Sequence, residues 1–269
     1  MHLHVDSLPP VGPNADAPGA ELVLLHGWGM NNGVWAPVLD RLRRTHRLSL
    51  IELPGHGASE YRQSQASLDD WARAALEAAP ARAIWLGWSL GGQLALQAAL
   101  RAPERVQSLV LVAASPRFVT AGDWPHAMPI ATFREFAANL ARDHAATLER
   151  FLALQVRGAV EARDTLRRLK AALRERPAPC DRALDNGLDL LLRTDFRGKL
   201  RQLACPSLWL LGERDTLVPA DVAEDLHRLL PRAEVFLLPG AAHAPFLSNP
   251  EACLRLMAGF LGDAERGEP

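Results

Sequence analysis

The sequence predicts an α/β fold in which a mostly parallel central sheet is flanked by helices and interrupted by one helical insertion. Short continuous apolar runs, the pattern of strands buried on both faces, recur along the chain. Helix-like segments alternate with these runs, which is typical of βαβ units with parallel strands. The alternation stops once, between about Ser115 and Leu203, where only amphipathic helical stretches are found.

The elements follow in a regular order. HLHVDS at 2–7 alternates like a short edge strand, and the segment 9–19 is rich in turn-forming residues. Buried strands are predicted at 21–27, 46–54, 83–89, 106–114, 207–213 and 234–240. Helices are predicted at 34–44, 67–79, 91–102, 220–230 and 250–261, followed by a polar tail at 263–269 that is expected to fray.

The interruption contains amphipathic stretches at 131–144, 146–156 and 162–176. We therefore expect residues 1–115 and 204–269 to form the core and residues 116–203 to form a helical cap inserted in it. Such a cap would lie over the carboxyl edge of the sheet, where open α/β sheets bind ligands.

Composition limits the classes of function. The chain has 269 residues, 48% hydrophobic and 23% charged, with a net charge of −1, so no general attraction to nucleic acid or membranes is expected. Its three cysteines form no CxxC pair and indicate neither a metal site nor a disulfide framework. The first residues lack a signal-peptide pattern, and no apolar run is long enough to span a membrane. We expect a cytoplasmic monomer.

The strongest chemical signal is GWSLGG at 87–92, between a predicted strand and a predicted helix. This is the context of a nucleophile elbow, a sharp strand-to-helix turn that exposes a serine. Gly87 and Gly91 leave room for neighbouring backbone, and the helix N-terminus directs its free N–H groups at the site. A glycine-rich turn can also be purely structural, but strand, spacing and helix together favour Ser89 as a nucleophile.

A serine needs a base, and in this architecture the histidine comes last in the chain. His243 follows the last predicted strand, in AAHAPF. The alternative is a histidine in a surface loop. His227 lies within a predicted helix and is expected to be solvated.

The acid of such a triad should end the preceding strand. Asp215 lies in the turn after SLWLLG, where it could hold the imidazole in its correct tautomer. Glu213 and Asp221 are competitors. Glu213 is nearer the strand, and Asp221 is expected to cap the next helix.

Two backbone N–H groups should meet the oxyanion formed on attack. Leu90 follows the nucleophile, and Trp28 lies in HGWG after the second strand, so these are the candidates. His26 is expected to be structural within that loop. PGHG at 54–57 lacks the Lys-Ser/Thr of a phosphate loop and fits a turn. No GxGxxG motif or metal cluster is found, so no cofactor is implied.

Five motifs, HGWG, PGHGAS, GWSLGG, GERDTLVP and AAHAPF, resemble in order and spacing the α/β-hydrolase superfamily over nearly the whole chain. HGWGMNNGVW, AIWLGWSLGG, ERFLALQ and AAHAPF resemble, more narrowly, the pimeloyl-acyl-carrier-protein methyl ester carboxylesterases of biotin biosynthesis, the BioH type. The N-terminal segment is longer and richer in proline than that resemblance predicts.

The resemblance implies an α/β-hydrolase fold and a serine carboxylesterase that needs no cofactor. It implies the catalytic residues Ser89, Asp215 and His243, and the substrate contacts Trp28, Ser89, Leu90, Phe151, Leu152, Ala153, Leu154, Gln155 and His243. Phe246 is a further candidate for the apolar acyl channel.

Acyl-carrier proteins are acidic, so the resemblance also implies a cationic surface. Residues 149–176 contain eight basic and four acidic side chains. Helical spacing places Arg163, Arg167, Lys170 and Arg174 on one face, and a leucine stripe lies on another. With Arg150, these four are the candidate docking residues. The alternative is an ordinary solvated helix face.

Other functions remain open. A general short-chain esterase, a C–C bond hydrolase and a cofactor-free haloperoxidase would carry the same three catalytic residues. A haloalkane dehalogenase is disfavoured because it needs a carboxylate at the position of Ser89. From a different class, a binding protein could have kept the pocket and lost turnover.

Overall fold

A computed structural model of the chain describes residues 1–12 and 19–266, and its centre is a seven-stranded sheet. The strands are β1 Val5–Leu8, β2 Leu22–Leu25, β3 Leu48–Ile51, β4 Ala83–Trp88, β5 Val106–Val112, β6 Ser207–Gly212 and β7 Glu234–Leu238. Their order across the sheet is β1-β3-β2-β4-β5-β6-β7. Among these seven strands only β1 pairs antiparallel, with β3, and the other neighbours are parallel. The predicted fold class is confirmed.

Burial explains why the apolar runs form the centre of this sheet. Every residue of β2, β3, β4 and β6 is buried, because helices cover both faces. The edge strands β1 and β7 are partly exposed. The observed strands are shorter than the predicted runs. Part of the predicted turn at 9–19, residues 13–18, lies outside the described residues.

Helices cover the sheet from two sides. One apolar cluster joins it to α2 Leu68–Ala78, α3 Leu90–Arg101 and α8 Val222–Leu229. The other joins it to α1 Ala36–Leu42, the short α9 Pro245–Ser248 and α10 Pro250–Arg266. A 3₁₀ turn, Asn32–Trp35, precedes α1. Helix α10 continues into the tail that was expected to fray, and residues 267–269 lie outside the described residues.

Four helices lie between β5 and β6: α4 Ile130–Leu140, α5 His144–Gln155, α6 Ala162–Arg174 and α7 Asp181–Arg193. The predicted stretches correspond to the first three. Helix α7 was not predicted, and it contains Gly187, which usually weakens a helix. A Cβ at Gly187 would lie 2.6 Å from Cδ1 of Trp28, so the helix needs glycine at this close approach.

This helical segment, α4–α7, lies against loops at the carboxyl edge of the sheet. The indole Nε1 of Trp28, after β2, donates to the Leu184 carbonyl of α7 at 2.9 Å. The backbone N–H of His243, after β7, donates to the Gln155 carbonyl at the end of α5. Both loops follow the carboxyl ends of parallel strands. Nowhere in the described part of the chain is a helix long and apolar enough to cross a membrane.

Candidate active site

Ser89 lies in the turn between β4 and α3 and has a backbone conformation that is rare for a side chain, φ 56° and ψ −117°. Such conformations cost about 1–3 kcal/mol and persist only where neighbouring structure enforces them. A Cβ at Gly91 would lie 2.5 Å from the carbonyl oxygen of His26, and one at Gly87 would meet the backbone of α3. The two glycines therefore allow the backbone contacts that hold the turn.

The structure brings His243 to Ser89. Nε2 of His243 lies 3.0 Å from Oγ of Ser89, and Nδ1 lies 2.7 Å from Oδ2 of Asp215. All three residues are buried. A carboxylate cannot donate, so Nδ1 carries the proton and Nε2 presents its lone pair to the serine hydroxyl. This arrangement can deprotonate Ser89 as its oxygen attacks a carbonyl carbon.

The loop that carries His243 is held on both sides of that residue. Its N–H donates to the Gln155 carbonyl at 3.0 Å, and its carbonyl accepts from Nε1 of Trp88 at 2.7 Å. Trp88 is the last residue of β4, directly before Ser89. No separate role was predicted for Trp88, although it lies within the GWSLGG motif. The strand that presents the serine thus also positions the histidine.

Asp215 is held in place by the turn after β6. Its Oδ1 accepts hydrogen bonds from the N–H groups of Leu217 at 2.8 Å and Val218 at 3.1 Å, which leaves Oδ2 for His243. The competitors lie elsewhere. Glu213 is exposed and accepts from the N–H of Gly240. Asp221 occupies the N-cap position of α8, as predicted, but its side chain makes no capping hydrogen bond there.

The backbone N–H groups of Trp28 and Leu90 have no hydrogen-bond acceptor within the part of the chain that the structure describes. Leu90 is the first residue of α3, where a helix leaves its N–H groups unpaired. Trp28 is in the loop after β2, which lies against the start of α3 near Gly91. Both groups are therefore free to donate to a ligand.

Two buried histidines hold the loop that contains Trp28. Nδ1 of His26 donates to the Gly27 carbonyl at 2.8 Å, and its Nε2 accepts from the N–H of Leu53 at 3.1 Å. His56 accepts at Nε2 from the N–H of Gly29 at 3.1 Å. Burial lowers the pKa of His26 to about 3, with a smaller contribution from His56, and burial lowers the pKa of His56 to about 4. Both are therefore neutral near pH 7.

The side chain of Trp28 forms an aromatic cluster with two rings of the helical segment. Its ring lies edge-on to Phe151 of α5, with centroids 4.9 Å apart, and 5.7 Å from Phe136 of α4. Phe136 and Phe151 are 5.5 Å apart. Phe136 was not predicted, since only proximity in space distinguishes it from other apolar residues of a cap helix.

The predicted contact run 151–155 is split between the faces of α5. Leu152 packs into the apolar cluster on the α1 and α10 side, while Ala153 is exposed and Leu154 is half-buried. The side chain of Gln155 is fully buried, and neither its nitrogen nor its oxygen has a partner among the described residues. A buried amide of this kind can bind a polar group of a ligand.

Phe246 does not join the aromatic cluster of Trp28. Its ring packs against Trp35 at 4.7 Å and Trp88 at 5.2 Å. It is fully buried in the core on the α1 and α10 side of the sheet. The prediction that Phe246 lines an acyl channel is therefore wrong.

The helical segment also carries an open groove of about 680 Å³ between α4, α5 and α6. Arg150, Arg157 and Arg163 lie at this groove with the acidic Glu135, and its apolar lining includes Phe136 of the aromatic cluster. The groove therefore adjoins the aromatic cluster through Phe136, whose half-buried ring contacts Trp28.

The five predicted docking residues differ in their surroundings. Arg150, Arg163 and Arg174 are exposed and Lys170 is half-buried. No ion pair involves these four within residues 1–12 and 19–266, whereas Arg167 pairs with Asp164. The described residues also contain no group of three His, Cys, Asp or Glu side chains that could hold a metal ion.

Comparison with known proteins agrees with the fold. A family model described as the alpha/beta hydrolase fold matches residues 21–250. The esterase EaEST from Exiguobacterium antarcticum superposes with a TM-score of 0.83 at 19% identity, covering 97% of this chain and 95% of that one. A hydrolase from Pseudomonas aeruginosa PA01 superposes with a TM-score of 0.77 at 27% identity, covering 97% and 93%.

Curated relatives are more similar in sequence. A pimeloyl-acyl-carrier-protein methyl ester esterase from Xanthomonas oryzae pv. oryzae is 45% identical over 243 residues, 90% of this chain and 95% of the relative. Proteins of the same name from Stenotrophomonas maltophilia and Vibrio vulnificus are 44% and 43% identical, covering 93% and 91% of this chain and 97% and 95% of theirs. The chain therefore belongs to the α/β-hydrolase fold family, in the branch that includes these esterases.

Proposed function

We propose that the chain is a serine carboxylesterase that hydrolyses the methyl ester of pimeloyl-acyl-carrier protein to the free carboxylate and methanol, a step of biotin biosynthesis. The hydrogen-bonded chain from Ser89 through His243 to Asp215 is the observation that carries the hydrolytic chemistry. Relatives of that name at 43–45% identity support the substrate. Three free cysteines fit a reducing, cytoplasmic location.

In the first half of the reaction Ser89 forms a bond to the ester carbonyl carbon while His243 takes its proton. The negative charge that develops on the carbonyl oxygen is stabilised by the N–H groups of Trp28 and Leu90. Asp215 stabilises the imidazolium without taking its proton. His243 then protonates the methoxy oxygen, the carbon–oxygen bond breaks and methanol leaves.

In the second half, water replaces methanol. His243 takes a proton from the water as its oxygen attacks the acyl-enzyme, and the same two N–H groups stabilise the second oxyanion. The bond to Ser89 breaks as its oxygen regains a proton. The products are a carboxylate still attached to its carrier and a regenerated hydroxyl.

We propose that residues 116–203 act as a cap and that the acyl chain lies beneath it. The rings of Trp28 and Phe151, which are buried, and of Phe136, which is half-buried, offer an apolar surface next to the loop that carries Trp28. The unpaired amide of Gln155, whose backbone already contacts His243, can bind a polar atom of the substrate. The groove that shares Phe136 offers a path from solvent.

The carrier protein would dock at the mouth of that path. Arg150 and Arg163 lie at the groove, are exposed and have no ion-pair partner among the described residues, so they are available to an acidic partner. Lys170 and Arg174 extend the same helix, while Arg167 would first have to leave Asp164. Opposite charges on two such surfaces increase the rate of association.

The first experiment compares hydrolysis of pimeloyl-carrier-protein methyl ester with that of a free short-chain ester, methyl butyrate. Ser89→Ala should reduce turnover of both by on the order of a million-fold. A fluorophosphonate probe should label the wild-type chain at Ser89. A chain that is not labelled and hydrolyses neither ester is a binding protein. Equal specificity constants for the two esters would identify a general esterase.

The second experiment separates docking from chemistry. Reversing two charges, Arg150→Glu with Arg163→Glu, should lower kcat/KM for the carrier substrate by roughly tenfold to a hundredfold through slower association. Hydrolysis of methyl butyrate should barely change. Arg41→Glu with Arg44→Glu, two exposed sites at the end of α1, is the matched control. High salt should reproduce the selective loss by screening, and equal losses for both esters would rule out docking here.

A further inference from the structure

The loop that carries Trp28 is a tight turn with a defined peptide orientation. The N–H of Met30 donates to the Gly27 carbonyl at 3.2 Å, so Trp28 and Gly29 are the central residues. Gly29 has φ +71°, whereas Trp28 is not among the residues with positive φ. A positive φ at the second central residue alone defines a type II turn. In a type I turn the peptide between the central residues would be flipped.

His26 contacts the peptide that supplies the Trp28 N–H. The carbonyl of that peptide is the Gly27 oxygen, and it accepts the hydrogen bond from Nδ1 of His26. Because Leu53 donates to Nε2, the proton of the neutral ring must be on Nδ1. A peptide whose carbonyl accepts a hydrogen bond is polarised, which makes its N–H a stronger donor.

His56 contacts the next peptide of the turn. Its Nε2 accepts from the N–H of Gly29, and its Nδ1 donates to the Pro54 carbonyl at 3.0 Å. Flipping the central peptide to the type I orientation would turn the N–H of Gly29 away from this acceptor. His56 therefore selects the turn conformation on the other side of Trp28.

Both rings are hydrogen-bonded to the segment that follows β3. Leu53 and Pro54 belong to that segment, and the two rings lie 5.3 Å apart. Each is fully buried, and the lowered pKa values of about 3 and 4 keep both neutral, so Nε2 of each remains an acceptor. The orientation of the Trp28 N–H is thereby set relative to the sheet.

We propose that His26 and His56 are positioning residues for the oxyanion hole: together they orient the Trp28 N–H toward the developing negative charge. Neither ring touches the substrate, and both act through the peptides on either side of Trp28. The inference rests on the proposed function, because it assumes that Trp28 donates to the oxyanion.

The test uses the whole chain and separates binding of the transition state from binding of the ester. His56→Phe keeps a ring but removes the acceptor for Gly29, whereas His56→Gln keeps an oxygen near the position of Nε2. Removal of one oxyanion donor lowers kcat about a hundredfold to a thousandfold. For misorientation we expect His56→Phe to lower kcat on methyl butyrate by roughly tenfold to a hundredfold, with KM within about threefold.

Butylboronic acid provides the second readout, because it forms a tetrahedral adduct with the serine oxygen. Its inhibition constant should rise in His56→Phe by the same factor by which kcat falls. His56→Gln should recover most of both losses. His26→Phe and His26→Asn form a second pair, since asparagine keeps a donor for the Gly27 carbonyl. If His56→Phe does not fold, the same comparison of the two His26 variants tests the proposal.

Met257→Ala is the control for lost stability, since Met257 is buried on α10 and packs on the opposite face of the sheet from α3. It should lower the melting temperature and leave kcat and boronate affinity unchanged. The inference is overturned if folded phenylalanine variants keep wild-type kcat and boronate affinity, or if they lose no more than Met257→Ala. A wild-type chain that hydrolyses neither ester and resists fluorophosphonate would instead refute the proposed function.

Discussion

The buried residues His26 and His56 should make the protein less stable as the pH falls below about 6.5. This loss should begin at a higher pH than the protonation of the carboxylates. Both histidines are fully buried, with pKa values lowered to about 3 and about 4. An unfolded histidine has an ordinary pKa of about 6.5. Between the folded and unfolded pKa values, the unfolded chain binds protons at these histidines and the folded chain does not. The free energy of unfolding therefore falls as the pH falls.

The magnitude follows from the two pKa differences. Stability from each ring is fully present above about pH 6.5 and is lost at about 1.4 kcal/mol per pH unit below it, until the folded pKa is reached. From about pH 7 to about pH 4.5, each histidine should cost about 2.5 kcal/mol and the pair about 5 kcal/mol. That is a large part of the roughly 5–15 kcal/mol that holds a typical domain folded.

Urea unfolding, followed by tryptophan fluorescence at several pH values in this interval, measures the effect. Asp195, whose pKa is lowered to about 2 despite its partial burial, mainly by hydrogen bonds from Arg197, loses its contribution only below this window. His56→Gln should be less stable near pH 7 but show about half the pH slope. His227→Asn, at an exposed site on α8, should keep the full slope. A flat dependence in the wild type would refute the reasoning.

Two further predictions concern a partly buried ion pair and a close backbone contact. Arg176 donates to Asp6 at 2.7 Å and lies 3.6 Å from the buried Glu52, so Arg176→Met should lower the free energy of unfolding in urea by about 2–4 kcal/mol. Adding Glu52→Gln should recover part of this loss, and an unchanged midpoint would contradict the pairing. Gly91→Ala places a Cβ 2.5 Å from a backbone oxygen of the loop after β2, so it should cost more than about 3 kcal/mol and most activity. Gly122→Ala, which meets nothing within 4 Å, should leave the melting curve and turnover unchanged.

Much of the site could be predicted because its signals are local. Ser89 lies in a motif whose glycines are required within a few residues, and a buried strand and a helix adjoin it directly. Asp215 and His243 follow predicted strands of a parallel sheet, whose carboxyl ends meet at one edge. Strand order along the chain was therefore enough to expect them near one another.

Other residues depend on contacts between distant parts of the chain. Trp88 donates to the His243 carbonyl across 155 positions, and Trp28 reaches Leu184 across 156. Neither contact leaves a periodic pattern in the sequence. Phe246 was misplaced for the same reason, since an apolar residue beside His243 fits a channel and a core equally well until its neighbours are known.

Helix α7 shows why helix propensity alone does not predict every helix. Gly187 weakens the prediction of α7 when only helix preference is considered. Glycine is required at position 187 because the Trp28 side chain approaches it closely. That contact forms only when the helical segment packs against the loop after β2.

By itself, the sequence determined the parallel α/β fold, the elbow at Ser89 and the chain order of nucleophile, acid and base. These depend on hydrophobic periodicity and on glycines at short spacing. Both are properties of neighbouring residues, so they can be recognised in the sequence. Only the tertiary structure decided how His243 is held, which rings surround Trp28 and what His26 and His56 orient. Those features depend on hydrogen bonds and ring contacts that form only when segments far apart in the chain are buried together.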